Sequence, residues 1–369
     1  MRRVGKTTLL KKFFDETASG NKLIFNMDNP IDQNVFEEKN YNNIIENFKY
    51  LGLSLNEKAY IFIDEIQNLP EIVKPLKYLY DEYSIKFFVT GSSSFYLKNL
   101  FPESLAGRKV LVELFPLDFE EFLIFKNRQQ PFEDEFKQKS RNKSELKFEI
   151  NKKFFEEYIE YGGFPQVVLA ETKEKKQIIL KEIFGSYFEQ DVKSLADFKN
   201  ISDLRDLILL LIRRVGSKLD ISKIASTLGI SRPSVYSWLT FLEQTYFISR
   251  INQFSKNTDK QLAGAKKVYL CDTGIINILS QTDMGSVLEN AVFNNLRKYG
   301  KVQYFQNRHG SEIDFIMPEL STALEVKTTV ISQHINKLKR LSENLKLDNY
   351  YVISQNFYND DHVIISSDI

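Results

Sequence analysis

Tyr60-Ile61-Phe62-Ile63 is an unbroken apolar run that stops on two carboxylates, Asp64 and Glu65. A strand with one wet face alternates apolar and polar residues. This one does not, so both of its faces must be covered, as in a parallel sheet layered between helices. Lys22-Leu23-Ile24-Phe25-Asn26 and Ile85-Lys86-Phe87-Phe88-Val89-Thr90 read as further strands, and strand and helix signals alternate to about residue 125. That alternation predicts an α/β fold. Open α/β sheets take their ligands beyond the carboxyl ends of the strands, where Asp64 and Glu65 fall.

The first residues suggest which ligand. Met1-Arg2-Arg3-Val4-Gly5-Lys6-Thr7-Thr8 leads directly into Leu9-Leu10-Lys11-Lys12-Phe13, a helical pattern. Gly5-Lys6-Thr7 matches the tail of G-x-x-x-x-G-K-[ST], in which loop amides cradle phosphate oxygens. Val4, Gly5, Lys6, Thr7 and Thr8 are therefore the expected nucleotide-binding residues, with Lys6 reaching the outer phosphates. Thr7 and Asp64 are the expected Mg²⁺ holders, and Glu65 the residue that polarises the attacking water. The pattern's first Gly, and the strand feeding the loop, would fall before Met1. The chain is then a fragment, or its start lies upstream, or it is a decayed ATPase.

Two more residues are candidates at this edge. Val89-Thr90 runs into Gly91-Ser92-Ser93-Ser94, where a polar group could sense the terminal phosphate; Ser92 is the first choice, against an ordinary Ser-rich turn. Arg108, after Ala106-Gly107, is a candidate for stabilising charge that builds during phosphoryl transfer, in trans if the protein is oligomeric. A surface arginine beside a turn is the alternative.

At this point the chain resembles the prokaryotic AAA-type ATPases that carry a C-terminal domain of unknown function. Gly5-Lys6-Thr7, Ile63-Asp64-Glu65-Ile66-Gln67, Val89-Thr90-Gly91-Ser92-Ser93, Gly107-Arg108 and Phe115-Pro116-Leu117 carry the resemblance. It implies the P-loop fold and ATP as the nucleotide.

The 369 residues exceed one ordinary core, so several domains are expected. A net charge of +1 gives no global basic footprint, so any nucleic-acid contact must be local. One cysteine, Cys271 in an apolar run, excludes a disulfide framework and suits the cytoplasm. His309, His334 and His362 are too dispersed for a zinc site, no apolar stretch suits a membrane span, and no leader is visible.

Residues 126–200 read as a charged helical lid beside the 1–125 core, with Gly162-Gly163 ending a helix before Pro165. Residues 201–260 read as a winged helix. Asp220 caps one helix, Leu228-Gly229-Ile230 turns, Ser231-Arg232-Pro233 opens a second, and Tyr246-Phe247-Ile248 with Arg250-Ile251 begins a strand. Arg232, Ser234, Tyr236 and Ser237 would face DNA. Protein packing is the alternative use of such a module.

In residues 261–369, Glu312-Ile313-Asp314-Phe315-Ile316 and Ala323-Leu324-Glu325-Val326-Lys327 form an expected hairpin. Glu325 and Lys327 share one strand face, and Asp314 can lie alongside Glu325. Asp314 and Glu325 could bind Mg²⁺, with Glu289 from the preceding helix completing the ligand set and Lys327 orienting water. Arg308 and His309 lie nearby as phosphate contacts or loop caps. These residues resemble the PD-(D/E)XK nuclease core, which implies an α/β restriction-endonuclease-like domain. A salt-bridged hairpin used for recognition is the alternative. The expected whole is an ATP-binding, ATP-hydrolysing motor or switch that moves a DNA- or protein-contacting module and controls the C-terminal nuclease-like domain. A nucleotide-bound adaptor and a nuclease with an inactive ATPase half are the competing expectations.

Overall fold

The computed structural model describes residues 1–38, 40–91, 110–192, 201–255, 261, 264–307 and 310–369. The chain divides into two compact units, residues 1–115 with 244–246, and residues 116–243 with 247–369.

The first unit contains α1 (Lys6–Glu16), β1 (Lys22–Asn26), α2 (Pro30–Asn34), α3 (Tyr41–Tyr50), β2 (Ala59–Asp64), α4 (Val73–Glu82) and β3 (Ile85–Val89). The strands are parallel in the order β1-β2-β3, with Asn26 beside Asp64 and Ile63 beside Val89. The unbroken apolar run of β2 is explained by cover on both faces. Ile61 and Ile63 are buried with Ile44, Phe48 and Leu79 on one side. Phe62 faces the other way, stacked on Phe88 at 4.7 Å and met edge-on by Phe14 of α1 at 5.3 Å.

The direction of α1 follows from its far end. Lys22, at the start of β1, donates its ammonium to the carbonyls of Phe14 (2.7 Å) and Thr17 (2.8 Å). The C-terminal end of α1 is thus held at the amino ends of the strands. Its N-terminus lies about 12 Å further along the helix from Phe14, directed at the carboxyl edge of the sheet.

The second unit opens with α5 (Phe119–Phe125), α6 (Phe136–Arg141), α7 (Glu145–Tyr161), α8 (Pro165–Leu169) and α9 (Lys173–Ser186), the last continuing into a π-helical turn. Then come α10 (Ile201–Ile212), α11 (Ile221–Leu228), α12 (Arg232–Gln244) and an antiparallel ribbon of β4 (Ile248–Ile251) and β5 (Lys267–Leu270). After α13 (Thr273–Leu279) and α14 (Met284–Leu296) follow β6 (Gln303–Gln306), β7 (Glu312–Met317), β8 (Thr322–Lys327), α15 (Ser332–Leu345), β9 (Asn349–Ser354) and β10 (Val363–Ile365). These strands make a mixed sheet in the order β10-β9-β8-β7-β6. The pairs β6–β7 and β7–β8 are antiparallel, and β8–β9 and β9–β10 are parallel.

The first unit ends at Phe115 rather than near 125. The reason is α5. Phe119 packs on Phe155 (5.0 Å) and Tyr158 (5.6 Å) of α7, and its amide donates to Asn295 of α14 at 2.7 Å. Gly162 does end α7, as its position before Pro165 suggests, with φ 77°. Its neighbour is tied more tightly. The Gly163 amide donates to Asp272 (2.7 Å), and its carbonyl accepts from the Leu117 amide (2.8 Å). The expected lid, winged helix and C-terminal segment therefore share one compact unit. Among the described residues no helix is long and apolar enough to cross a membrane.

Candidate functional site

At the carboxyl edge of the first sheet, Gly5 is the N-cap of α1 with φ 100°, and Arg3 also has a positive φ of 58°. Gly5 has no side chain to offer the first-turn amides an acceptor, which leaves that turn suited to an anion. Val4 is buried, Lys6 and Thr7 are half-buried, and Thr8 is exposed. The Lys6 ammonium donates to the Met1 carbonyl at 2.7 Å, folded back along its own loop.

Asp64 ends β2 and is 5% exposed. Thr90, just past β3, donates its hydroxyl to the Asp64 carboxylate, and the same oxygen accepts from the Glu65 amide at 3.3 Å. Glu65 has left-handed backbone, φ 53° and ψ 47°, and its carboxylate accepts from the Gln67 amide group. The edge is laced through the backbone as well, since the Ile66 amide donates to the Thr90 carbonyl and the Met27 amide to the Asp64 carbonyl. From the sequence Thr90 reads only as the end of a strand, yet its hydroxyl links the Asp64 carboxylate to the Glu65 amide. Ser92 and Arg108 lie outside the described residues. The Thr7 hydroxyl and the Asp64 carboxylate are hard oxygen donors of the kind Mg²⁺ takes.

A second cluster lies in the other unit. The β7–β8 register pairs Phe315 with Leu324, which sets Asp314 opposite Glu325. The Asp314 carboxylate accepts from the Val326 amide at 2.8 Å. Lys327 reaches Glu325 at 2.9 Å and Asp314 at 3.9 Å, so Glu325 and Lys327 do share a face. Glu325 Oε2 is buried and has no hydrogen-bond partner among the described residues. Burial, then the Asp314 charge, raises the Glu325 carboxyl above its usual range.

Glu289 lies on the Asp314 side of this group, meeting it through Lys267. It turns to β5, where the Tyr269 hydroxyl donates to it at 2.6 Å and the Lys267 ammonium pairs with it at 3.2 Å. Lys267 also pairs with Glu312 at 2.5 Å and lies 3.9 Å from Asp314. Among the described residues no three His, Cys, Asp or Glu side chains gather into a metal-holding group. Of the expected set, Glu289 pairs with Lys267, Glu325 pairs with Lys327, and Asp314 lies 3.9 Å from each lysine. Neither Lys267 nor Tyr269 is among the candidates read from the sequence, though their i, i+2 spacing is the available signal that both face one way. Arg308 and His309 lie outside the described residues.

In the helix–turn–helix segment, Asp220 caps α11 by accepting from the Lys223 amide at 2.9 Å, and Gly229 ends it with φ 66°. On α12, Val235, Trp238 and Leu239 are buried, whereas Arg232, Tyr236 and Ser237 are exposed and Ser234 is half-buried. Cys271 is buried, and burial pushes its thiol up, away from reactivity.

Residues 1–123 match a family described as an AAA domain. Residues 152–286 and 284–364 match two domains of unknown function, DUF8612 and DUF4143. The uncharacterized protein MJ1544 of Methanocaldococcus jannaschii is 30% identical across 95% of this chain and 79% of its own length. The chain belongs to this family of AAA-domain proteins. An uncharacterized protein of Haemophilus influenzae is 29% identical across 89% of this chain and 80% of its own length. A solved structure of the Aeropyrum pernix ORC1 protein in complex with DNA aligns with 80% of this chain and 85% of its own. At 13% identity and a TM-score of 0.29 it carries no argument here. The AAA match covers the Gly5–Thr8 loop, Asp64, Glu65 and Thr90.

Proposed function

We propose that this AAA-family protein binds and hydrolyses ATP and uses the nucleotide state to control recognition by its second unit. One observation carries the reading: α1 directs Gly5–Thr8 at the sheet edge where Asp64, Glu65 and Thr90 are joined by hydrogen bonds. Loop amides and Lys6 bind the phosphates. Thr7 and Asp64 hold Mg²⁺, which when bound offsets phosphate charge. Glu65 orients the attacking water. Glu65→Gln tests this directly: ATP stays bound while turnover falls by about 10²–10⁴-fold. Unchanged turnover removes Glu65 from the role.

In this reading α11, α12 and the β4–β5 ribbon act as a winged-helix module. The exposed Arg232, Tyr236 and Ser237 offer DNA a face with one cation and one aromatic ring. DNA binding there should weaken steeply with salt; a flat response assigns the face to protein packing. The nuclease-like C-terminal domain enters as a recognition unit, because its acids are already held by Lys267 and Lys327. Metal-dependent cleavage by Asp314, Glu325 and Lys327 is the competing reading. The unpartnered Glu325 Oε2 favours it, and divalent-ion binding separates the two.

A further inference from the structure

Lys267 is a buried charge with a built environment. Its side chain is 3% exposed. Glu289, Glu312 and Asp314 surround the ammonium at 3.2, 2.5 and 3.9 Å, and the Tyr304 ring lies 5.6 Å away. Tyr269, two residues along the same strand, shares the Glu289 oxygen. A backbone feature makes room for the acid: a Cβ at Gly216 would stand 3.1 Å from Glu289 Oε2, and Gly216 has φ 74°.

Carboxylate oxygens are also the donors a hard divalent cation takes, though as placed these three are spaced around an ammonium and not gathered on an ion. Here the ammonium holds the centre. Glu289 Oε1 and Glu312 Oε1 bind the ammonium, Asp314 Oδ1 faces it, and Asp314 Oδ2 accepts from the Val326 amide. An isolated buried ammonium is strongly disfavoured, and a matched set of acids reverses that. Burial favours loss of the Lys267 proton, but Glu289, Asp314 and Glu312 more than offset it, so the proton is held more firmly than usual. One ammonium among three acids leaves surplus negative charge. Glu289 accordingly is pushed up to about 7, by burial first and by Asp314 second.

We propose that Lys267 is the resident cation of this cluster, joining Glu289, Glu312 and Asp314 in place of a divalent ion. The domain then works without metal, and its acid cluster is a clamp. Lys267 belongs to β5, which pairs with β4 and bridges to Lys218. The ammonium therefore fastens α14 and β7 to the ribbon that follows the helix–turn–helix segment. This inference rests on the recognition reading of the C-terminal domain and is independent of the ATP site.

The test is Mn²⁺ binding to the full chain, followed by electron paramagnetic resonance and calorimetry without nucleotide, in an Asp64→Asn background. Wild-type, Glu289→Gln and Asp314→Asn chains are expected to take up equal Mn²⁺. Lys267→Met keeps much of the apolar stem and removes the charge. It is expected to gain one Mn²⁺ site per chain, lost again when Glu289→Gln is added. A wild-type site that disappears in Glu289→Gln or Asp314→Asn overturns the proposal, as does a folded Lys267→Met chain that gains none. If Lys267→Met does not fold, the comparison of the other three chains decides. Loss of partner binding with this Mn²⁺ pattern intact would fault the recognition reading alone.

Discussion

Thr90 joins Asp64 to Glu65 through a single hydroxyl, donating to the first carboxylate and accepting from the amide of the second residue. The link crosses from the end of one strand to the end of its neighbour. It fixes the direction of Asp64 and the left-handed backbone of Glu65 together.

Thr90→Val keeps the branched shape and removes both hydrogen bonds. Turnover is expected to fall by about tenfold or more, the equivalent of about 1.4 kcal/mol of lost positioning, with ATP affinity within a few-fold of wild type. Steady-state turnover and equilibrium ATP binding, measured side by side, check this. Normal turnover would leave Thr90 a structural residue only.

Gly163 predicts a stability effect with a built-in contrast. A Cβ there would lie 2.1 Å from the Leu117 carbonyl oxygen, a backbone atom that cannot turn aside. Gly163→Ala is expected to destabilise the second unit by about 3 kcal/mol or more. Gly185, inside α9, has nothing within 4 Å of the same position, so Gly185→Ala should stabilise by up to about 1 kcal/mol. Denaturant unfolding of both variants reads the difference, and equal effects would contradict it.

Asp272 predicts a pH dependence. Burial raises its carboxyl from 3.8 to about 6, opposed by the amides of Gly163, Ile275 and Gly274 and by Arg297. The folded state therefore keeps this proton at pH values where the unfolded chain has released it. Stability from this group is fully present below about pH 4 and is lost as the pH rises through 6. A rise of that size corresponds to about 3 kcal/mol. The unfolding free energy of wild type minus that of Asp272→Asn should fall by up to that amount between pH 4 and 7. A flat difference would show that Asp272 titrates normally.

Much of this architecture was legible because short-range rules govern it. The apolar run at Tyr60–Ile63 requires cover on both faces, and Phe14 and the Ile44–Phe48 helix supply it. The hairpin that brings Asp314 to Glu325 follows from strand alternation and a short turn. What the spacing could not reveal depends on contacts between distant segments. Phe119 looks like the end of the first α/β unit, but its partners Phe155, Tyr158 and Asn295 lie much later in the chain. Glu289 was placed correctly on a helix before the hairpin. Its pairing with Lys267 is set by the path of β5, which no local pattern encodes.

In the proposed reading the loop and the two acids serve one nucleotide. Calorimetric titration of the chain with ATP and Mg²⁺ tests it most directly, comparing wild type with Lys6→Ala and Asp64→Ala. Saturable binding to wild type is expected, with affinity reduced at least about a hundredfold in Lys6→Ala and clearly weakened in Asp64→Ala. Equal affinity in all three chains would contradict it.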